Sequence, residues 1–220
     1  MIGCCRGCGS TTTALALATA AARRVRLVEC GPAATSGLVA ASTAELGRDP
    51  SGWLQGTRGE VLLERPGDPI TQADQVPVPS IPSRTIDLTI LDVTWDLGQL
   101  LPGHSWISEQ IRKAHPSVLV APATIPGLRR LETALSVLTD VTIVAAVVGA
   151  RRPRGAGSVW RTAGPRTRAA DGAGRLVVLP ADRRLVVAGL DATALPPPLI
   201  TAAHRLLHLL TDQSVKGGLS

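Results

Sequence analysis

Residues 2–13 read Ile2-Gly3-Cys4-Cys5-Arg6-Gly7-Cys8-Gly9-Ser10-Thr11-Thr12-Thr13, a short apolar start followed by a glycine-rich turn and an Ala- and Leu-rich stretch. A phosphate-binding loop needs glycines so that successive backbone N–H groups can curl around an anion, and the N-terminus of a helix must point at that anion. Gly7 and Gly9 meet the first demand, and Thr11 stands where a hydroxyl would ligate Mg²⁺. The strict pattern GxxxxGK[ST] is not met, because Cys4 replaces its first glycine and Ser10 its lysine. The stretch therefore predicts a strand, a phosphate-binding turn and a helix.

Apolar runs alternate with helix-like stretches along the rest of the chain, which is typical of an α/β protein with a doubly wound sheet. Several runs are continuous Val, Leu and Ile, as expected for parallel strands that are covered on both faces. The predicted strands are 2–5, 25–29, 61–63, 86–92, 118–121, 141–148 and 176–179, and the predicted helices are 11–22, 103–114, 127–138 and 198–210.

Two stretches interrupt this alternation. Residues 66–84 are rich in Pro, Asp and Gln and predict a long surface connection, and residues 149–174 are rich in Arg, Gly and Pro and predict a loop. Neither reads as a boundary between domains. We therefore expect one domain over 1–212 that carries the Arg-rich loop 149–174, with a flexible C-terminal tail over 213–220.

Composition narrows the class of protein. With 45% hydrophobic and 18% charged residues, the 220-residue chain is not expected to be disordered, and no run of about 20 apolar residues predicts a membrane-spanning helix. The net charge of +6 permits contact with nucleic acid or anionic lipid and specifies neither. Three of the four cysteines fall within residues 4–8 and no secretory leader is visible, so we expect reduced, buried thiols in the cytoplasm; a zinc or redox site is the less favoured alternative.

Two later segments give the glycine turn a more specific interpretation. They read Val25-Arg26-Leu27-Val28-Glu29-Cys30-Gly31-Pro32 and Ile86-Asp87-Leu88-Thr89-Ile90-Leu91-Asp92. In this order the three segments resemble the MinD/ParA group of P-loop ATPases, in which the loop is KGGxGKTT, the second strand ends VDxDP and the Walker B strand reads YDxhhhDTPP. These segments also resemble actinobacterial MinD-like proteins, whose openings are similar to KGSPGVTTTALALA and VLVECDPAG.

The resemblance spans nearly the whole chain and implies a three-layer, mainly parallel sheet of the SIMIBI P-loop NTPase type. It also implies ATP or ADP as cofactor, with Mg²⁺ held by Thr11 and, through water, by Asp92. A homodimer and protein partners from partitioning, conjugation or secretion machinery are implied as well. MinD relatives dock on membrane through a terminal amphipathic helix, but the predicted last helix has just one Arg, so we expect it to pack against the sheet rather than bind membrane. The nucleotide-binding positions carried over are Arg6, Gly7, Cys8, Gly9, Ser10, Thr11 and Thr12.

The departures from the family concern charge. Cys5 and Ser10 stand at the two lysines of the family's loop, Gly31 at the switch aspartate, and Glu29 at the first aspartate of VDxDP. Two lost charged hydrogen bonds cost ~3–6 kcal/mol of binding free energy. Phosphoryl transfer depends on positioned charge, and one catalytic arginine is worth roughly 10³–10⁵ in rate. We therefore expect a pseudo-ATPase switch or scaffold that has a degenerate Walker A motif and weak or no ATP hydrolysis.

Two alternatives stay open. One is a slow ATPase in which Arg6 replaces the missing lysine. The other is a protein that binds DNA without sequence preference, because clustered cations are sufficient to neutralise phosphates. The cations in question are Arg151, Arg152, Arg154, Arg161, Arg166 and Arg168.

Overall fold

The computed structural model describes residues 1–32, 37–82, 84–113, 116–149 and 158–217. They form one nine-stranded sheet in the order β3-β4-β5-β2-β6-β1-β7-β8-β9. All pairs that involve β1, β2 and β6 to β9 are parallel, whereas β4 pairs antiparallel with both β3 and β5. The strands are β1 (Ile2–Gly3), β2 (Val25–Cys30), β3 (Ala44–Arg48), β4 (Trp53–Arg58), β5 (Val61–Pro66), β6 (Leu88–Val93), β7 (Ser117–Pro122), β8 (Ile143–Gly149) and β9 (Leu176–Pro180).

Helices cover both faces of the sheet, so the predicted three-layer α/β architecture is confirmed. A first apolar cluster packs α1 and α9 against one face, and a second packs α4 and α5 against the other. Their bounds are α1 (Ser10–Ala20), α2 (Leu38–Ala41), α3 (Leu97–Leu100), α4 (Trp106–Arg112), α5 (Ile125–Val137), α6 (Ser158–Arg161), α7 (Pro165–Gly172), α8 (Arg183–Ala188) and α9 (Pro197–Gly217).

The glycine-rich turn leaves the sheet from a central strand, because β1 lies between β6 and β7. β1 ends at Gly3, two residues before the predicted end, although the backbone N–H of Cys4 still donates to the Val120 carbonyl at 2.8 Å. A side chain at position 3 would be tightly packed, since a Cβ there would lie 3.0 Å from the Cys8 Sγ. The chain therefore turns directly from the middle of the sheet into α1.

Each of the seven predicted strands is present with ends shifted by a few residues, but the β3–β4 hairpin was not predicted. All five residues of β3 are exposed, and the strand contains Glu45, Gly47 and Arg48. Such an edge strand has neither a continuous apolar run nor an alternating pattern. The β3–β4 hairpin therefore lacks the apolar pattern from which the other strands were predicted.

The interpretation of residues 149–174 as a loop was wrong in its described part. Residues 158–161 and 165–172 form α6 and α7, and α7 packs against α5. Arg151, Arg152 and Arg154 lie outside the described residues. Proline at the start of α7 is compatible with helix, because the first helical position has no intrahelical use for an N–H.

Residues 66–84 and the residues after 212 also contain helical structure. Within 66–84, the turn of 3₁₀ helix at Ala73–Gln75 is followed by the buried Val76. At the other end of the chain, α9 extends to Gly217, five residues beyond the expected domain end at 212. Among the described residues, no helix is long and apolar enough to cross a membrane.

Candidate functional site at the glycine-rich turn

Two glycines of the turn between β1 and α1 have left-handed backbone conformations. Gly7 and Gly9 have φ values of +68° and +88°, in the left-handed region where L side chains are strained. Gly9 is the N-cap of α1, and no side chain caps the helix there. The first turn of α1 also contains no acidic residue. Its N–H groups and positive dipole end are therefore left for an external anion.

Thr11 and Asp92 meet beside this turn, although 81 residues separate them. The Thr11 hydroxyl donates to Asp92 Oδ2 at 2.6 Å. Asp92 is fully buried, and burial raises the pKa of its carboxyl group against the opposing effect of the Thr11 hydrogen bond. A carboxylate buried at the carboxyl end of a parallel strand, without a cationic side chain in an ion pair, is suited to interact with a cation bound there.

The residues present fit a magnesium ion. Asp92 Oδ1 is buried and has no hydrogen-bond partner within the described ranges, so it can accept a hydrogen bond from water in the shell of the ion. Thr11 Oγ1 lies next to it and supplies an oxygen ligand of the kind that Mg²⁺ prefers. The metal pair taken from the family resemblance is therefore together in space, and its role remains a prediction.

A second buried carboxylate flanks this pair. Glu29 of β2 lies opposite Asp92 of β6 in the parallel register, so both side chains are on the α1 face of the sheet. Glu29 is 1% exposed. Two acidic groups thus meet at the carboxyl ends of neighbouring strands, which is where open α/β sheets bind ligands.

The position of the family's switch aspartate is closed by packing. A Cβ at Gly31 would lie 1.9 Å from Thr94 Oγ1, so no larger side chain fits there unless Thr94 moves. Thr94 comes from the segment just after β6. Thr94 therefore occupies the space that a carboxylate side chain at position 31 would need.

A cavity of about 620 Å³ lies against the outer side of the turn. Arg6 and Arg130 both line it and both are exposed, and in the described part of the chain neither has an ion-pair partner. Its wall also includes Cys4, Cys5, Thr94 and Asp96. Arg130 was not recognised from the sequence, since its position in α5 carries no motif; only the fold brings it near Arg6. Two unpaired cations beside a glycine turn attract an anion.

The cysteines of the turn are free thiols that serve packing. Cys8 is buried under Gly3, and burial raises its pKa. Burial also raises the pKa of Cys4 to about 12 and that of Cys30 in β2. Thiols with raised pKa values are poor nucleophiles and poor metal ligands at neutral pH. Within the described ranges, no group of three or more His, Cys, Asp or Glu side chains could hold a metal ion.

Several other polar residues have structural roles. Asp96 Oδ1 accepts from the backbone N–H of Gly98 at 2.9 Å and caps α3. Asp87 accepts three hydrogen bonds from Arg24, two of them from its guanidinium group. Arg161, Arg166 and Arg168 are exposed on or near α6 and α7, away from the glycine turn in sequence. DNA binding by this surface remains a prediction.

Comparison with solved structures identifies proteins of the same fold. MinD of Aquifex aeolicus, a cell division protein, is 15% identical with a TM-score of 0.55, over 96% of each chain. A plasmid partition protein of Borrelia burgdorferi bound to AMPPNP is 13% identical with a TM-score of 0.59, over 96% of this chain and 98% of its own. McdA of Cyanthece in its apo form is 14% identical with a TM-score of 0.58, over the same shares.

The chain therefore has the MinD/ParA-like P-loop fold that its sequence predicted. At these identities the likeness concerns the fold alone. No family model matches the chain, and no curated protein sequence matches it significantly.

Proposed function

Because the chain has the fold of the MinD/ParA ATPases, we propose that its glycine turn binds ATP or ADP together with Mg²⁺. The protein then acts as a nucleotide-responsive switch or scaffold rather than as an efficient ATPase. The observation that carries this proposal is the 2.6 Å hydrogen bond between Thr11 and the buried Asp92, beside the uncapped N-terminus of α1. Burying a carboxylate costs free energy, so a carboxylate with a purely structural role is not expected at this position.

Binding depends on groups that the chain retains. The backbone N–H groups from Gly7 to Thr12 and the dipole of α1 contact the phosphates, and Thr11 and Asp92 hold the ion. When bound, Mg²⁺ neutralises phosphate charge. Arg6 and Arg130 add positive charge on the cavity side of the turn. These groups replace part of the affinity that the two absent lysines supply in the family.

Hydrolysis depends on groups that the chain lacks. Cys5 and Ser10 carry no charge at the lysine positions, and Gly31 has no room for a switch carboxylate beside Thr94. A loss of positioned charge lowers the rate of phosphoryl transfer more than it lowers binding, because charge develops in the transition state. The nucleotide therefore acts as an effector that is bound and released.

The biological setting follows by analogy with the proteins of the same fold. One is named a cell division protein and another a plasmid partition protein. We place this chain in a comparable partitioning, conjugation or secretion machinery, where it acts through protein partners as a homodimer. The four free thiols fit a reducing compartment such as the cytoplasm.

The central test is a titration of the full chain with ATP, ADP and AMPPNP, with and without Mg²⁺, by calorimetry. We expect saturable binding that Mg²⁺ strengthens by about tenfold or more, given an ion held by two protein groups. Thr11→Val, which keeps the shape and removes the hydroxyl, is expected to abolish the Mg²⁺ effect. Absence of binding under every condition would refute the proposal.

A slow ATPase that uses Arg6 is the second candidate, because Arg6 is exposed and unpaired in the described structure beside the turn. Single-turnover hydrolysis separates it from the first. Under this alternative Arg6→Ala lowers the rate by about 10²-fold or more, whereas under the main proposal no hydrolysis depends on Arg6. Arg129→Ala is the matched control, since Arg129 is exposed next to Arg130 in the same helix and does not line the cavity.

A further inference from the structure

The two edges of the sheet are built differently. β3, at one edge, has a register irregularity between Glu45 and Gly47, and all five of its residues are exposed. A bulge and charged side chains protect an edge strand against pairing with another chain. β9, at the other edge, reads Leu-Val-Val-Leu-Pro and keeps an unbroken register with β8 over all five residues. Apart from the proline at its last position, β9 therefore lacks the features that protect β3.

Backbone groups of β9 point away from the sheet. Ala145 N–H donates to the Arg175 carbonyl at 2.8 Å, which fixes the phase of the ladder between β8 and β9. In a parallel ladder, alternate residues of a strand bond to opposite sides. Val177 therefore bonds to β8, whereas Leu176 and Val178 direct their N–H and C=O groups outward. Because β9 is the last strand of the sheet, no strand among the described residues pairs with these groups.

A groove of about 740 Å³ lies against this free edge. β9 lines it with Leu176, Val177 and Val178, and the two outward-bonding residues are only half-buried. One wall comes from the end of α7 and the other from a face of α9. An extended peptide that adds to a sheet edge bonds through its main chain and is selected by contacts of its alternate side chains. The groove offers both kinds of contact.

The charges that line the groove favour an acidic strand. α9 contributes His204, Arg205 and His208, and no acidic residue in the described part of α9 lines the groove. Arg205 is exposed and has no ion pair in the described structure, whereas His208 is paired with Asp212 at 2.9 Å. Asp171, on the α7 side, has a partner of its own. Arg205 is thus the cation that is left for an added strand.

We propose that β9 is a docking edge, to which an extended acidic segment of a partner protein adds a strand of about five residues. The main chain of that segment bonds to Leu176 and Val178. Its residues opposite Val177 lie on the α9 face of the sheet, so they are acidic and contact Arg205. The alternate residues lie beside the half-buried Leu176 and Val178, so they are apolar.

The test measures peptide binding to the nucleotide-free full chain by fluorescence anisotropy. The probe is Glu-Val-Glu-Val-Glu with a neutral fluorophore, and its matched control is Lys-Val-Lys-Val-Lys. We expect the acidic peptide to bind about tenfold more tightly or better at low salt. Arg205→Glu should remove most of that preference, whereas Arg129→Glu should keep it, since Arg129 is exposed on α5 and does not line the groove. Equal binding of the two peptides, or binding of neither, contradicts the proposal.

Amide hydrogen exchange locates the bound peptide, because a chain with a net charge of +6 attracts acidic peptides to other surfaces too. The acidic peptide should slow exchange at Leu176 and Val178 by about tenfold or more, and leave Val177, which already bonds to β8, unchanged. Val178→Pro removes an outward N–H without removing a bond to β8, and should weaken binding by about fivefold or more. Binding that leaves the two outward amides unprotected overturns the proposal.

A second copy of the chain is the competing occupant of the edge. It is tested by exchange at Leu176 and Val178 without peptide, over a range of chain concentrations. Fast exchange that does not depend on concentration supports a free edge. Exchange that slows as the concentration rises means that β9 pairs with β9 of another copy, and the proposal is then wrong about the partner. Nucleotide enters none of these measurements, so their outcome is independent of the function proposed above.

Discussion

Two of the buried carboxylates, Glu64 and Asp92, lie on opposite faces of the sheet in contrasting surroundings. Glu64 of β5 accepts from Arg26 Nε at 2.5 Å with one oxygen and from Gln55 Nε2 at 2.8 Å with the other. Arg26 in turn donates to the Ser80 carbonyl at 2.7 Å. Asp92 accepts from the Thr11 hydroxyl at 2.6 Å with Oδ2, and Oδ1 has no hydrogen bond in the described structure.

The difference separates a carboxylate with structural partners from one that is a candidate for binding a ligand. Glu64 is neutralised by a cation and uses both oxygens, so it joins β2, β4 and β5 and leaves nothing for a ligand. Asp92 has no arginine or lysine partner in the described structure, and the Thr11 hydroxyl and the charge of the buried Met1 amino group offset only part of the cost of its burial. A buried carboxylate of this kind is typical of a site where a bound group supplies the partner. The proposed partner of Asp92 is Mg²⁺.

The largest effect is expected from Glu64→Ala. It leaves the Arg26 guanidinium buried without its carboxylate, and the free energy of unfolding should fall by ~3–5 kcal/mol in urea denaturation. The double variant Arg26→Met with Glu64→Leu removes both charges and should recover most of that loss. A loss below about 1 kcal/mol in the single variant would mean that Glu64 is no more structural than Asp92.

The two sites also differ in what the sequence can reveal about them. The glycine turn and Asp92 were recognised because each belongs to a short local pattern, and the continuous apolar runs placed β2, β6, β7 and β8. The ion pair of Arg26 with Glu64 was not recognised, because it depends on the register of strands 38 residues apart. Arg130 and Thr94 were missed at the candidate site for the same reason, since only tertiary packing brings them to the turn.

A smaller effect is expected from Gly31→Ala, which tests whether Thr94 closes position 31 to a larger side chain. The new Cβ would lie 1.9 Å from Thr94 Oγ1, and overpacking of this kind costs ~1–3 kcal/mol. Thr94→Ala removes the obstructing atom, so the double variant should be more stable than Gly31→Ala alone. A double-mutant cycle of urea denaturation measures this coupling. Additive effects of the two changes would show that Thr94 does not close the position.

The smallest effect, and the one that contrasts most directly with Glu64→Ala, is expected from Asp92→Asn. The amide keeps an acceptor for the Thr11 hydroxyl and removes a buried charge, so the nucleotide-free protein should gain ~1 kcal/mol at neutral pH while the Mg²⁺ effect on nucleotide binding is lost.

The gain from Asp92→Asn should depend on pH with a sign that follows from the raised pKa of Asp92. In the wild-type chain, the stabilisation from protonated Asp92 is fully present below the unfolded value of about 4 and is lost as the pH rises through the higher folded value. The asparagine variant has no such loss. Its advantage should therefore be small near pH 4 and grow as the pH rises, in urea denaturation at a series of pH values. An advantage that is constant across the series would mean that Asp92 is not the group under strain, and the contrast with Glu64 would then have no energetic basis.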